Sequence, residues 1–441
     1  MTTVQYVFDQ IAARLESPEF QRTYAQKPQD FSRQRKVGLV SLVSIILNRL
    51  VLTTTVELSN FLHLHLPTVT SYTKQSFSEA RQKLDPNAFV DLNETLVRHW
   101  YAANDYTVIG GRIPVAIDGS TLEIPNTANL REVYGETGGK QAPGLARAQM
   151  SHAYDVANGI CLSAVLDRYD ASERDLALRN MQAVYGLVPQ SLPILWLFDR
   201  GYPGLAFCMQ IEQMEAQFFM RVKESFYLEE FAPVAKDGWI TLVVTKRRAQ
   251  KLARAGNPLP VGTVLHLRVI KITLANGNQE ILITNVPAAL LPYKQAEAVY
   301  HLRWGVETHY DILKNDWELE NFSGIRPEVI AQEHQATVVI SNMAALIEHE
   351  AQMRWEERRA QGKVHRKYAN YKINTSVAVG LWKDRWITIV LDPDPERRIQ
   401  AYWNLVASMQ ANVVPIIPDR SYPRKKKPRG NKYSPKKRRS V

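Results

Sequence analysis

The sequence predicts an α/β fold, and three observations carry that expectation. Residues 1 to about 105 are rich in Leu, Val and Ile with few breakers, so they read as helices. From Arg112 the runs IPVAID, ICLSAVLD, LPILWLFDRG and AQFFMRVK are short, apolar and bounded by turn residues, and helical text such as Ser172 to Gly186 separates some of them. That alternation predicts antiparallel strands followed by βα units. Between about 224 and 290 the alternation stops, and runs such as WITLVVT and VLHLRVIKITL predict a β-rich insertion before helical text resumes. The expected organisation is therefore a helical domain over 1–105, an α/β domain over 106–326 with that insertion, a helical region over 327–415, and a tail over 416–441.

Within the first part, the apolar stretch Val37 to Leu52 is short of a membrane span and carries Asn48 and Arg49, which predicts a buried helix. In SFSEARQKLDP, Ser76 or Ser78 can cap a helix that ends before Pro86. Two helices around a short polar turn fit either a helix-turn-helix, with Lys74, Arg81 and Lys83 towards phosphate, or plain helical packing.

Composition narrows the class. Two cysteines, Cys161 and Cys208, are too few for a disulfide framework and fit a reducing interior. The N-terminus lacks the basic start and apolar core of a secretory signal, so neither secretion nor a membrane is expected. The formal charge of +11 resides in one place: eleven Lys and Arg and no acid lie between Arg420 and Val441, so 44 basic residues before them balance the 44 acids of the chain. Such a Pro-containing tail predicts a disordered arm for polyanions, adding affinity through counterion release.

Three carboxylates stand out. Asp118 closes IPVAID and Asp199 closes LPILWLFD, each at the end of an apolar strand, where open α/β sheets place functional groups. Taken singly, Asp-Gly is also a common turn and Asp before a helix a common cap. Glu307 lies in YHLRWGVETHYDILKNDW, where Tyr300, Arg303, Glu307 and Lys314 are spaced to fall at roughly 0°, −60°, −20° and −40° around a continuous helix. A carboxylate flanked by two cations and a phenol suits a metal and a phosphate backbone. Attack on a phosphodiester needs an activated nucleophile and a stabilised leaving oxygen, and two metal ions about 4 Å apart supply both. Mg²⁺ prefers oxygen ligands and keeps several waters, so a few carboxylates suffice, and Mn²⁺ can take its place. Asp118 would bridge two ions, Asp199 and Glu307 would each hold one, Arg303 and Lys314 would hold phosphates, and Tyr300 would contact the DNA end. Asp311, one turn after Glu307, is a reserve acid.

The Tyr300/Arg303/Glu307/Lys314 spacing, with Asp118 in AIDGSTLEI and Asp199 in LFDRGYPG, resembles the DDE transposases of bacterial insertion sequences, the group named after insertion sequence four. The resemblance runs from about Arg112 to Gly324 and includes SFSEARQKL upstream. It implies an RNase H-like catalytic core interrupted by a β-rich insertion, and a helical N-terminal domain that binds terminal inverted repeats. It also implies target DNA as a second partner, a homodimer assembled on two DNA ends, and action in the bacterial cytoplasm at the nucleoid. Some members excise through a DNA hairpin, with an aromatic residue of the insertion holding a flipped base. At the matching place in EILITN this chain has Glu280; Trp239 in the insertion fits either a substitute for that aromatic or, more simply, a core tryptophan. Lys246, Arg247 and Arg248, with Lys251 and Arg254, fit either a solvated face or a track for the DNA backbone. Two other functions stay open: an RNase H-like DNA nuclease without strand transfer, and a transposase-derived DNA-binding protein that has lost catalysis.

Overall fold

The computed structural model describes residues 1–32, 37–48, 52–69, 71–138, 144–274, 277–363, 367–368 and 370–417. The basic tail from Arg420, and Arg49, lie outside the described residues.

The N-terminal part is helical: α1 (Thr3–Glu16), α2 (Pro18–Tyr24), α3 (Leu39–Leu47), α4 (Thr54–His65), α5 (Lys74–Arg81) and α6 (Asn87–Ala102). Thr2 and Gln5 start α1 with reciprocal side-chain-to-backbone bonds, and Val4, Val7, Phe8, Ile11 and Leu15 recur at helical spacing and are buried. The apolar stretch from Val37 contains α3, buried over most of its residues, followed by the separate helix α4. Thr73, not Ser76 or Ser78, caps α5, accepting from Ser76 N. Arg81 does not face outward to phosphate. Its guanidinium is 3% exposed, donates from Nε to Gln332 at 2.9 Å and pairs with Glu333 at 3.0 Å. Burying a guanidinium requires such a partner, so α5 is bolted inward through the very residue that a DNA-facing helix would turn outward.

Next come β1 (Ile113–Glu123), α7 (Ala128–Tyr134), β2 (Arg147–Asp155), β3 (Ile160–Arg168), α8 (Glu173–Tyr185), β4 (Ile194–Phe198), α9 (Leu205–Gln213) and β5 (Gln217–Val222). The insertion supplies α10 (Leu228–Phe231), β6 (Asp237–Val243), α11 (Lys246–Arg254), β7 (Val264–Thr273) and β8 (Gln279–Thr284). The chain ends, among the described residues, with α12 (Tyr293–His301), α13 (Trp304–Asn315), α14 (Pro327–Ala360), β9 (Asn370–Ile373), α15 (Thr375–Leu391), α16 (Pro395–Ala411) and β10 (Val413–Ile416). β9 and β10 pair with each other in a region that the sequence presents as helical.

One sheet of order β3-β2-β1-β4-β5-β8-β7-β6 organises the middle of the chain. β1, β2 and β3 form an antiparallel meander, while β1–β4 and β4–β5 are parallel. β4 reads ILWLF, buried throughout, because parallel strands covered on both faces need apolar side chains on both. The insertion is not a separate β module: β8 pairs with β5 and extends the same sheet.

Strand alternation fixes which helix lies where. Ser151 and Gly119 are partners, and Ser151 accepts from Asn180 of α8, so that side of the sheet belongs to α8. His152 and Asp118 are partners on the other side, where His152 meets His309 of α13 and His334 of α14. α14 ties the parts together, holding β3 through Gln335 and Asn342 and α5 through Gln332 and Glu333.

Candidate functional site

Asp118 and Asp199 are brought side by side by the sheet itself. Ile117 and Phe198 are register partners on the parallel strands β1 and β4, and each aspartate is the next residue along. β1 does not end at Asp118: it continues to Glu123, so Gly119 belongs to a strand rather than a hairpin turn. β4 does end at Phe198, leaving Asp199 in the turn. Glu307 lies in the first turn of α13. Three ties hold that helix against β1: Tyr310 donates to Asp118 O at 2.7 Å, and Lys314 Nζ donates to Ser120 Oγ at 2.9 Å and Thr121 O at 2.7 Å. Tyr310 also accepts from His152 N at 3.0 Å. Glu307, Tyr310 and Lys314 are spaced for one helix face, so fixing the last two aims the first at the aspartates.

The helix expected to run through Tyr300, Arg303, Glu307 and Lys314 is broken. α12 ends at His301, α13 begins at Trp304, and Arg303 caps it. Arg303 sits 4% exposed at the junction. Its Nη2 donates to Glu307 at 2.9 Å and its Nη1 lies 3.9 Å from Asp118 Oδ2. Nε and Nη1 have no hydrogen-bond partner among the described residues. Burial works against its charge, but Tyr300, Glu307 and Asp199 hold the guanidinium's proton more tightly than usual. Tyr300 is not positioned to touch DNA. It is 2% exposed and donates to Phe198 O at 3.3 Å, immediately before Asp199, so its phenol packs against the end of β4. Lys314, expected on phosphate, spends its donors on β1 and lies 3.7 Å from Glu320. Asp311 is exposed.

Charge at the site is predominantly negative. Burial pushes the Asp118 carboxyl up to about 6; Asp199 and Glu173 push the same way, while Gly119 N and Arg303 oppose them. The Asp199 carboxylate has no hydrogen bond or ion pair among the described residues. Among the described residues the carboxylates are not drawn within 4.8 Å of one another as a set, but oxygen donors with this little compensation, on adjoining elements, are of the kind a divalent cation takes.

Four further features lie near these residues with no sequence signal that marks them. Tyr310 is one. Tyr202, three residues after Asp199, is 1% exposed with a hydroxyl that lacks a partner among the described residues. Glu173 opens α8 close to Gly119 and Gly201. Under α13, His152 bonds His309 at 3.1 Å and His334 at 3.0 Å. Burial lowers all three histidines, His309 to about 3 and His334 to about 4, so this imidazole chain is neutral packing. Cys161 has its sulfur within 4.8 Å of ring nitrogens of His152 and His309, but both nitrogens of His152 already face other imidazoles.

In the insertion, α11 exposes Lys246, Arg247, Lys251 and Arg254 and has no buried residue. Arg248 differs: it pairs with Glu230 and stacks over Tyr227 at 4.8 Å. Trp239 is not a core residue; it lies 52% exposed on the edge strand β6. Glu280 is buried and paired with Arg221 at 3.2 Å.

A strand run 3-2-1-4-5, with acids on its first and after its fourth strand and a third acid on a later helix, has the order of an RNase H-like fold. The family profile described as "Transposase DDE domain" matches residues 109–343, more than half of the chain, and the chain belongs to that family. No curated protein matches the sequence. Seven chains among solved structures match. One is the cryo-EM structure of the piggyBac transposase synaptic complex with hairpin DNA, 10% identical with a TM-score of 0.42, the likeness covering 92% of this chain and 80% of that one.

Proposed function

We propose that this protein is a DNA transposase that cleaves the ends of a mobile element and joins them to target DNA by metal-dependent phosphoryl transfer. The observation that carries the reading is the convergence of Asp118 and Asp199, on neighbouring strands, with Glu307 on the helix tied across β1. Members of the transposase DDE domain family work with divalent metals. Asp118, Asp199 and Glu307 would hold the Mg²⁺ or Mn²⁺ ions, two per site. When bound, such ions activate the attacking oxygen and stabilise the leaving one.

The protein's own groups do the rest. Tyr310 and Lys314 hold the Asp118–Thr121 backbone still, so the carboxylates need not reorganise. The unengaged Nη1 of Arg303, already beside Asp118, donates to a non-bridging phosphate oxygen. In cleavage, the oxygen of water bonds to phosphorus as the bond to the 3′ oxygen breaks, leaving a 3′-hydroxyl and a 5′-phosphate. In joining, that hydroxyl bonds to a target phosphorus and the target's own 3′ oxygen leaves, so one phosphodiester replaces another. The exposed face of α11 would follow the DNA backbone, and Trp239 is an aromatic ring open to a displaced base. DNA ends and target DNA are the partners, in a homodimer formed on the ends in the bacterial cytoplasm. Among the described residues, no helix is long and apolar enough to cross a membrane.

The test is a nicking and joining assay on element ends with Mg²⁺. Asp118→Asn, Asp199→Asn and Glu307→Gln should each abolish cleavage and retain end binding, and near-wild-type cutting by any one would remove it from the set. Pre-cut ends supplied with plasmid should give joined products; cleavage without joining would make the protein a nuclease.

A further inference from the structure

We propose that Glu173 is a fourth carboxylate of this metal site, reaching it from the α8 side of the sheet. The inference rests on reading Asp118, Asp199 and Glu307 as metal-holding residues. Its basis is the position of one carboxylate relative to two glycines. A β-carbon placed on Gly119, the residue after Asp118, would lie 3.0 Å from Glu173 Oε1. One placed on Gly201, two residues after Asp199, would lie 3.9 Å from Glu173 Oε2. The carboxylate thus spans the two chain segments that carry the aspartates, and Gly119 leaves it room.

The start of α8 is held there. Ser172 caps the helix, and Arg174 donates to the carbonyls of Tyr202 at 2.8 Å, Gly201 at 3.3 Å and Pro203 at 3.0 Å. One residue away, Glu173 is therefore fixed against the loop that follows Asp199. Among the described residues its carboxylate meets one donor, Gln149 Nε2, at a long 3.5 Å. Favourable interaction with the helix dipole accounts for an acid in the first turn. It does not account for a neighbouring arginine clamped to the Asp199 loop.

A separate observation points to a missing ligand. The Tyr202 hydroxyl is buried without a partner among the described residues, within electrostatic reach of Asp118, Glu173 and Asp199. A buried hydroxyl left unpaired is costly, and a water held on a cation among those acids would satisfy it. Glu307 approaches from the α13 side and Glu173 from the α8 side. Glu173 would accordingly share an ion with Asp118 and Asp199, leaving the other to Asp118 and Glu307.

The experiment compares the full-length wild type, Glu173→Gln, Glu173→Asp and Glu307→Gln, each bound to a pre-cut DNA end. Free Mn²⁺ is titrated by electron paramagnetic resonance. Fe²⁺ with ascorbate and peroxide then maps backbone scission next to the bound ion. Thermal unfolding in EDTA verifies folding. Wild type should bind two Mn²⁺ per site and be cut near residues 118, 173, 199 and 307. Glu173→Gln should weaken one Mn²⁺ at least tenfold and lose the cuts near 173 and 199 while keeping those near 307. Glu173→Asp, one carbon shorter, should fall between. Unchanged Mn²⁺ binding and scission in Glu173→Gln, with Glu307→Gln impaired, would overturn the role of Glu173 alone. Absence of Mn²⁺ binding by wild type, or an unimpaired Glu307→Gln, would instead overturn the metal reading of the whole site.

Discussion

Arg303 Nη1 stands 3.9 Å from Asp118 Oδ2, beyond hydrogen-bond reach but close enough to offset the aspartate's charge. The same guanidinium bonds Glu307 at 2.9 Å, so one cation spans two of the three acids and still has a nitrogen unengaged. Arg303→Ala should therefore lower cleavage about 100-fold or more, the scale seen when a preorganised donor is removed. Arg303→Lys should also fail, since a single ammonium cannot bond Glu307 and a phosphate in two fixed directions. Cleavage in a preformed complex, followed across a Mn²⁺ titration beside Glu307→Asp, tests both. High Mn²⁺ should help the shortened carboxylate and not the missing guanidinium. Full recovery of Arg303→Ala would assign Arg303 to supporting the metal site only.

The charge state of Asp118 makes a stability prediction. Its carboxyl titrates at about 6, above the ordinary 3.8, because burial and nearby carboxylates disfavour ionisation. A folded-state pKa above the unfolded one means that its contribution to stability is intact below about pH 4 and lost as pH rises to about 6. Above that, metal-free protein carries an unfavourable charge. Asp118→Asn in EDTA should be the more stable protein at pH 7.5, by about 3 kcal/mol, and nearly equal in stability at pH 4. Denaturant unfolding at the two pH values measures this. Equal differences at both would show that Asp118 is not strained by its neighbours.

How far the sequence carried depended on how local each signal was. Strands β1, β4 and β5 were legible because parallel strands buried on both faces leave unbroken apolar runs, and that located Asp118 and Asp199. The stripe of Tyr300, Arg303, Glu307 and Lys314 does face β1 and β4, but the tight turn at Leu302 and Arg303 leaves both residues in helical dihedrals, so periodicity runs through it and does not reveal the division into α12 and α13. Residue type alone favours the core for Trp239. Strand alternation puts it on the face of Thr241 and Val243, opposite Ile240 and Leu242, and only the position of β6 at the sheet edge decides which face is covered. Glu173 and Tyr310 have no legible spacing to the aspartates they approach, since sheet topology and α13 docking create those encounters, and Tyr202, though three residues from Asp199, carries no signal of burial.

Arg81 gives a prediction that separates packing from DNA contact. Its buried pairing with Glu333 and its bond to Gln332 join α5 to α14. Removing one partner strands the other charge in the core, a loss of about 3–5 kcal/mol. Arg81→Ala should lower the unfolding midpoint sharply, while at temperatures where it remains folded the salt dependence of DNA binding should match wild type. A flatter salt slope with unchanged stability would restore Arg81 to the DNA face.

The basic helix α11 is decided by the same measurement in the opposite sense. Lys246, Arg247, Lys251 and Arg254 are exposed, whereas Arg248 is held by Glu230 and Tyr227. If the exposed four meet phosphates, each releases roughly 0.9 counterions from duplex DNA, and changing all four to Gln should reduce the log–log salt slope by up to about 3.6. The loss should be uniform across DNA sequences, because phosphate contacts carry no base information. Arg248→Gln should instead leave the slope nearly unchanged and loosen the insertion, seen as faster hydrogen exchange around Glu230. Binding isotherms from low to moderate salt, on an element end and on unrelated DNA, provide the comparison. An unchanged slope in the fourfold variant would make α11 a solvated face. A loss confined to the element end would mean that the helix reads sequence and does not merely track the backbone.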